Sequence, residues 1–196
     1  CRALAERVAN KLPDVPVELG FVELAEPKIP EAVQAAVAQA PGVSEEPTEG
    51  EQPVAAVVVP LMFNTGGHVR EDIPEAIDEG RGDARVAYSA PLLPDVRMRK
   101  ALDRRLAETL AAGEGREQWR ARDTAVVLVG RGALVADANA SHYTLTRMFW
   151  EENDLARVEP AFIQVTRPSV PEALTALHAQ GAQQIVVQGN FCLLYT

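Results

Sequence analysis

The chain carries the segment FVELAEPKIPEA at residues 21–32 and a second version of it, FIQVTRPSVPEA, at residues 162–173. The phenylalanine, both prolines, the glutamate and the final alanine of the two segments coincide at an offset of 141 positions. The same offset pairs Leu4 with Leu145, each inside a predicted helix. A match of this kind in register indicates a duplicated α/β unit.

Helix-like and strand-like segments alternate around each copy. Apolar residues at helical spacing predict helices over residues 2–12, 30–39, 95–112, 138–152 and 171–180. Branched and aromatic residues predict strands over residues 15–24, 54–62, 84–89, 124–129, 158–165 and 184–187, of which 54–62 and 124–129 are expected to be buried on both faces. This order predicts an α/β fold of two similar parallel-sheet halves, residues 1–118 and 119–196, with helices on both faces of the sheet.

The repeat also predicts that each half is incomplete. A strand and the turn Gly130-Arg131-Gly132 precede the second copy, and their counterparts in the first half would lie before Cys1. Residues 57–59 align with 185–187, so the counterpart of Gly66-Gly67-His68 would lie beyond Thr196. The last five residues, Cys192–Thr196, can be encoded by a sequence that resembles a library adapter, and we hypothesise that they are an artefact.

Composition restricts the class of partner. The net charge of −9 disfavours nucleic acid, which requires clustered Lys and Arg. The longest apolar run, residues 54–63, is far shorter than a membrane span. Two cysteines at the extreme ends do not form a disulfide framework, so we expect a reducing, cytoplasmic setting.

The loop Asn64-Thr65-Gly66-Gly67-His68 follows a predicted strand, where parallel α/β sheets bind ligands. Its glycines allow a ligand to approach the backbone closely. His68 is a candidate metal ligand or catalytic residue there, although a solvent-facing or helix-capping histidine would give the same spacing. Glu71 and Asp72 are expected to begin the next helix, where their charges are favourable.

Glu23 is the second candidate, near the end of a predicted strand in the same half. Its counterpart at offset 141 is Gln164, which keeps the shape and removes the charge. An edge-strand glutamate in water is the competing interpretation. His142 and His178 lie in predicted helices without partners at metal-binding spacing, so we expect structural roles for both. A complete glycine-rich nucleotide loop and a Gly-x-Ser-x-Gly elbow are both missing from the sequence.

Four stretches together resemble the sirohydrochlorin cobaltochelatases and ferrochelatases: FVELAEP at residues 21–27, VPL at 59–61, GHVREDIP at 67–74 and VGRG at 129–132. The resemblance implies two α/β halves that face a central cleft, and metal binding by two histidines and a glutamate. His68 matches one histidine and Glu23 matches the glutamate. The other histidine belongs to a Gly-His-Gly turn whose equivalent in the second half carries Arg131, so the resemblance leaves the activity of this chain open.

The residue types suit metal insertion, which removes two pyrrole protons and passes a divalent ion to the ring nitrogens. Imidazole binds cobalt, iron or nickel and accepts a proton near neutral pH, and a carboxylate can take the second proton. The resemblance therefore implies an ATP-independent chelatase, a lyase of cobalamin or sirohaem synthesis, with cobalt or iron as metal substrate, nickel as a further candidate and no nucleotide. The substrate would be a sirohydrochlorin-type tetrapyrrole contacted by Asn64, Thr65, Gly66 and Gly67, with Arg70 and Arg131 facing its carboxylates.

Two alternatives remain open at this point. A duplicated α/β module could hold a tetrapyrrole or metal without turnover, and the upstream turn distinguishes the two because a histidine there favours catalysis. The chain could also be part of a fusion with another corrin-pathway enzyme.

Overall fold

The computed structural model describes residues 1–40, 53–63, 65–92, 95–112 and 119–190. Asn64, most of the acidic loop at 41–53 and the segment Cys192–Thr196 lie outside these ranges. The chain divides into a first unit, Cys1–Pro60 with Gly67–Pro91, and a second unit, Leu61–Gly66 with Leu92–Thr196.

The first unit contains a two-stranded parallel sheet with helices packed on it. Its elements are α1 (Arg2–Ala9), α2 (Ile29–Ala38), β1 (Ala56–Val58), a π-helix (His68–Asp72), α3 (Ile73–Arg81) and β2 (Val86–Tyr88). Strand β1 pairs with β2 in register Ala56 with Val86. The core of this unit joins α2 to α3 through Ile29, Val33, Ile73 and Ile77.

The second unit contains a three-stranded parallel sheet in the order β4-β3-β5. Its elements are α4 (Val96–Ala111), a short 3₁₀ helix (Ala121–Asp123), β3 (Thr124–Gly130), α5 (Ala136–Glu152), β4 (Arg157–Phe162), α6 (Val170–Ala179) and β5 (Gln184–Gly189).

Strand β3 is buried along its whole length because helices cover both faces of its sheet. Val126 and Leu128 face one cluster, which contains Leu106 of α4 and Phe149 of α5. The alternate residues Ala125, Val127 and Val129 face the other cluster with Leu177 of α6. This period of two is what a central strand requires, and it confirms the predicted α/β class.

The helix α4 packs with the second unit, through Leu106. Gln188 of β5 also donates to the Leu102 carbonyl at 2.9 Å. The compact units therefore divide near Pro91, whereas the predicted boundary between duplicated halves falls after residue 118. The division into halves at that position stays a prediction about the repeat.

Two predicted strands are wrong in extent. Residues 15–24 form only an isolated parallel bridge between Phe21 and Lys28, because Pro16 lacks a backbone donor and the described residues supply no counterpart of β3 for pairing. Strand β1 covers three residues of the predicted 54–62, and Pro60 ends its ladder. Burial on both faces is also wrong there, since Val57 is 62% exposed.

Strand β4 likewise ends at Phe162 instead of Val165. The predicted helices and the remaining strands agree with the structure to within three residues at either end. Within the described ranges, every helix is too short or too polar to span a lipid bilayer.

Local structure repeats at the same offset as the sequence. In each copy a phenylalanine N–H donates to a proline carbonyl at 2.9 Å, Phe21 to Pro27 and Phe162 to Pro168. Both prolines follow cis peptide bonds. In each copy a glutamate, Glu31 or Glu172, accepts the backbone N–H three residues earlier, at the start of α2 or α6. The duplication predicted from the repeat is therefore present in the folded chain.

A rare backbone conformation is also shared. Leu24 and Val165, 141 positions apart, have positive φ angles of 62° and 71°. Branched side chains seldom adopt this region, so its occurrence at matched positions marks a turn geometry that both copies keep. Glu23 and Gln164 immediately precede these residues.

Candidate metal-binding site

His68 begins the π-helix, in the connection between β1 and α3. Residues 59–67 separate it from the end of β1, a longer connection than the predicted strand end at residue 62 implied. The Ile73 N–H donates to the His68 carbonyl, five residues back, instead of to Val69. Single π-turns of this kind occur frequently at functional sites.

Tyr88 fixes this turn from the neighbouring strand. The Val69 carbonyl loses its usual donor because Ile73 bonds to His68, and the next residue, Pro74, has no N–H. The Tyr88 hydroxyl, at the end of β2, donates to that carbonyl at 3.0 Å. Burial raises the pKa of Tyr88 above its usual 10.0, so the phenol stays a neutral donor at ordinary pH.

Asp72 contacts the His68 ring directly. The distance between His68 Nδ1 and Asp72 Oδ2 is 2.5 Å, and the two side chains are 40% and 52% exposed. An ionised carboxylate only accepts hydrogen bonds, so Nδ1 carries a proton in this contact. A neutral His68 then keeps its lone pair on Nε2, the nitrogen that a metal would bind.

The backbone below this pair is anchored in the core of the first unit. Val69 and Ile73 are buried, and Ile73 packs with Ile29 and Val33 of α2. The buried positions alternate with the exposed His68 and Asp72. The turn therefore presents the two polar side chains outward from a fixed support.

Glu23 lies exposed in the bend that follows Phe21. Phe21 and Val22 line a depression of about 250 Å³ together with Asp72. The segment that carries Glu23 is thus a neighbour of the His68–Asp72 pair on the surface of the first unit. Among the described residues, no group of three or more His, Cys, Asp or Glu side chains could hold a metal ion. Shared ligation by His68 and Glu23 stays a prediction.

The glycines before His68 leave open space. A Cβ atom added at Gly66 or Gly67 would meet no described atom within 4 Å. Neither glycine has a positive φ, so backbone conformation does not demand glycine here. Gly66 and the preceding Thr65 belong to the second compact unit, whereas Gly67 belongs to the first. Asn64 falls in a gap of the described ranges.

Arg70 and Arg131 are both exposed. Arg131 lies in the turn after β3, which is fastened to the segment after β4: Ile163 donates to Gly130 at 3.0 Å and Gln164 donates to Arg131 at 3.1 Å. Gly132 has φ +90°, and a Cβ there would lie 2.0 Å from the Gln164 carbonyl oxygen. Only glycine fits this position, so the turn presents Arg131 on a rigid backbone.

His142 has the structural role that we expected. It is fully buried, Nε2 donates to the Leu128 carbonyl at 3.0 Å, and the ring lies 3.2 Å from a Cβ built at Gly130. Burial lowers the pKa of His142 below its usual 6.5. His178 is exposed on α6.

Asp72 and Tyr88 are the residues that the sequence reasoning missed. Asp72 was expected only to favour a helix start, yet its spacing of four from His68 is the spacing of paired side chains on a helix, and that signal was present in the sequence. The role of Tyr88 could not have been found from the sequence, because its partner is the Val69 carbonyl, which lacks a backbone donor only as a result of the π-turn.

These features define a duplicated α/β protein with a solvent-accessible histidine–carboxylate pair in a strand-to-helix connection. The CbiX family model matches residues 1–109 and 125–193. The chain therefore belongs to the CbiX family, which confirms the chelatase resemblance.

Individual relatives agree. A sirohydrochlorin cobaltochelatase of Priestia megaterium is 33% identical over 178 residues, which cover 89% of this chain and 53% of that protein. A sirohydrochlorin ferrochelatase of the same organism is 27% identical over 189 residues, covering 94% and 64%. The chain thus spans between half and two thirds of the length of these curated relatives. The structure of SirB from Bacillus subtilis with Fe3+ superposes with a TM-score of 0.71 at 24% identity, covering 100% of this chain and 73% of SirB, and shows the same fold.

Proposed function

We propose that this chain binds a divalent metal, cobalt or iron, through His68 and delivers it to a sirohydrochlorin-type tetrapyrrole without a nucleotide. The observation that carries the proposal is the His68–Asp72 pair, in which Asp72 contacts Nδ1 and the His68 side chain is 40% exposed on an anchored turn. The names of the relatives support the substrate, and the Fe3+ in the SirB structure supports iron as one of the metals. Nickel is a third candidate, because it prefers the same imidazole ligand.

We assign the chemistry of metal transfer to His68 and Glu23. His68 Nε2 binds the metal and leaves other coordination positions open, as transfer to a ring requires. Insertion releases two protons from the ring nitrogens, and the exposed carboxylate of Glu23 accepts one of them. His68 accepts the other after the metal has left. Glu23 also offsets part of the metal charge.

The tetrapyrrole carboxylates require positive groups, and the chain as a whole carries a charge of −9. We assign Arg70, beside the metal ligand, and Arg131, on the rigid turn after β3, to those carboxylates. Asn64, Thr65, Gly66 and Gly67 are assigned to the edge of the ring. The open space beside both glycines supports close approach of a flat ligand.

The setting proposed for this activity is cytoplasmic cobalamin or sirohaem synthesis, without nucleic acid or membrane as partner. Fusion to another corrin-pathway enzyme stays part of the proposal.

The experiment mixes the purified chain with sirohydrochlorin and Co²⁺ and follows the absorption spectrum of the tetrapyrrole. The proposal expects the spectrum of the cobalt product to appear faster than without protein. His68→Ala should slow that rate strongly, whereas the control His178→Ala, at another exposed histidine, should not. Equal rates in the two variants would contradict the role of His68.

The second candidate function is binding without turnover. Arg131 favours it, because this residue occupies the position of the histidine of the Gly-His-Gly turn in the second half and cannot serve as a metal ligand there. In the same experiment this candidate predicts a spectral shift of bound tetrapyrrole with insertion at the rate of the protein-free control.

A further inference from the structure

We propose that Asp72 is a positioning residue that holds His68 as the Nδ1–H tautomer, so that Nε2 points outward as the ligand for the divalent metal. This inference rests on the proposed role of His68 in metal binding. It adds a residue that neither the repeat nor the expected ligand pair of His68 and Glu23 includes.

The Asp72 carboxylate and the His68 ring are in direct contact. Asp72 Oδ2 lies 2.5 Å from His68 Nδ1. Because an ionised carboxylate has no proton to donate, the contact selects the tautomer with hydrogen on Nδ1. Metal-binding histidines commonly donate their second ring N–H to a carboxylate, which fixes the ring orientation and raises the basicity of the ligating nitrogen.

Asp72 lies inside a continuous helical stretch, because the π-helix that it ends runs directly into α3. Its backbone angles are helical, with φ −64° and ψ −42°, so Asp72 is not positioned to cap a helix N-terminus. Its side chain lies one turn after His68, at the spacing of four at which side chains meet on a helix. The contact with His68 is therefore the interaction that the carboxylate makes in this turn.

The His68–Asp72 pair lies at the surface of the first unit. The pair is about half exposed to solvent, and exposed ion pairs contribute little to folding stability. Stability therefore does not explain the contact. The backbone that carries both residues is held by the Tyr88–Val69 hydrogen bond and by buried Ile73, which is the support that a preorganised ligand needs.

His142 provides the contrast inside the same chain. Its Nε2 carries the proton and donates to Leu128, while Asn190 lies 3.5 Å from Nδ1. Both ring nitrogens face protein groups, and the side chain is fully buried. Of these two histidines, only His68 combines a carboxylate on Nδ1 with a side chain that is 40% exposed.

The test compares Asp72→Asn with Glu71→Gln. Asparagine has the shape of aspartate but offers both a donor and an acceptor, so it no longer selects the tautomer. Glu71→Gln removes the same charge from the adjacent exposed position without touching the ring. The tautomer of His68 is read from its ring ¹⁵N chemical shifts without metal, and Co²⁺ affinity is measured by calorimetry.

The expected result is an Nδ1–H tautomer in the wild type, a loss of that preference in Asp72→Asn, and a Co²⁺ Kd raised about 10- to 100-fold in that variant. Glu71→Gln should leave both readouts unchanged. An unchanged tautomer of His68 in Asp72→Asn overturns the inference. If Glu71→Gln lowers the Co²⁺ affinity as much as Asp72→Asn does, the inference is also overturned, because the loss would then follow from the change in net charge alone. If the tautomer responds but His68→Ala leaves Co²⁺ affinity unchanged, the proposed metal role of His68 fails, and the positioning role for metal fails with it.

Discussion

Substitution of Gly132 by alanine should destabilise the second unit more than the same substitution at Gly181. Both glycines have φ +90°. A Cβ at Gly181 would meet no described atom within 4 Å, whereas a Cβ at Gly132 would lie 2.0 Å from the Gln164 carbonyl oxygen. The pair therefore separates the cost of the backbone conformation from the cost of the collision.

The magnitudes follow from these two terms. An alanine held at positive φ costs about 1–2 kcal/mol, and this is the whole effect expected at Gly181. Relief of the contact at Gly132 requires a shift of about 1 Å or more, which breaks the Gln164–Arg131 hydrogen bond and strains the Ile163–Gly130 bond. Each weakened bond adds about 0.5–1.5 kcal/mol, so Gly132→Ala should cost about 2–5 kcal/mol in total.

The assay is urea unfolding followed by tryptophan fluorescence. Both tryptophans of the chain, Trp119 and Trp150, pack on the core cluster of the second unit, so their fluorescence reports on that unit. Equal losses of unfolding free energy in Gly132→Ala and Gly181→Ala would refute the reasoning. The collision of the added Cβ with the Gln164 carbonyl oxygen would then add nothing to the cost of the backbone conformation.

Three further predictions concern Tyr88, His142 and Gly80. Tyr88→Phe should lower the unfolding free energy of the first unit by about 1–3 kcal/mol, because the Val69 carbonyl loses its donor. Since the folded pKa of Tyr88 is raised, wild-type stability should hold below about pH 10 and fall as the pH rises through the folded pKa. Circular dichroism should show no such alkaline loss from this site in the variant. The lowered pKa of His142 favours the neutral ring in the folded state, so the second unit should be fully stable above about pH 6.5 and lose stability as the pH falls through the folded pKa. Urea unfolding midpoints at about pH 7.5 and 5.5 measure this loss. If the midpoint of His142→Gln shifts between these pH values as much as that of the wild type, the prediction is wrong. Gly80→Ala places a Cβ 2.4 Å from the Pro30 carbonyl oxygen and should push α2 and α3 apart, costing about 1–3 kcal/mol in thermal unfolding; an unchanged melting temperature would count against that helix contact.

Most of the fold was predictable because the repeat and the alternation of periods are strong local signals. The segments after Phe21 and Phe162 keep the same hydrogen bond and the same positive φ, which is what a sequence repeat should preserve. Residues 124–129 were correctly predicted as a strand buried on both faces. Residues 54–62 have a similar composition but form a short, half-exposed strand. The difference depends on pairing partners and helix cover, which composition does not encode.

The candidate site was predictable in part. The sequence located the candidate residue His68 on a glycine loop, but it did not indicate the π-turn, since the turn arises from the combination of Pro74, the Ile73 donor and a hydroxyl from β2. The residue that contacts the ring, Asp72, was visible at a spacing of four and was interpreted as a helix charge. Side-chain pairing within one turn needs coordinates, because the same spacing also occurs between residues that both face solvent.

The most direct test of the account uses the three histidines of the chain, His68, His142 and His178. Substoichiometric Co²⁺ is added to the protein, and paramagnetic broadening of the imidazole signals is followed by NMR. The account predicts that the His68 ring broadens first, while the buried His142 and the exposed His178 stay sharp. Broadening of His178 ahead of His68, or a His68 signal that persists at stoichiometric Co²⁺, would contradict it.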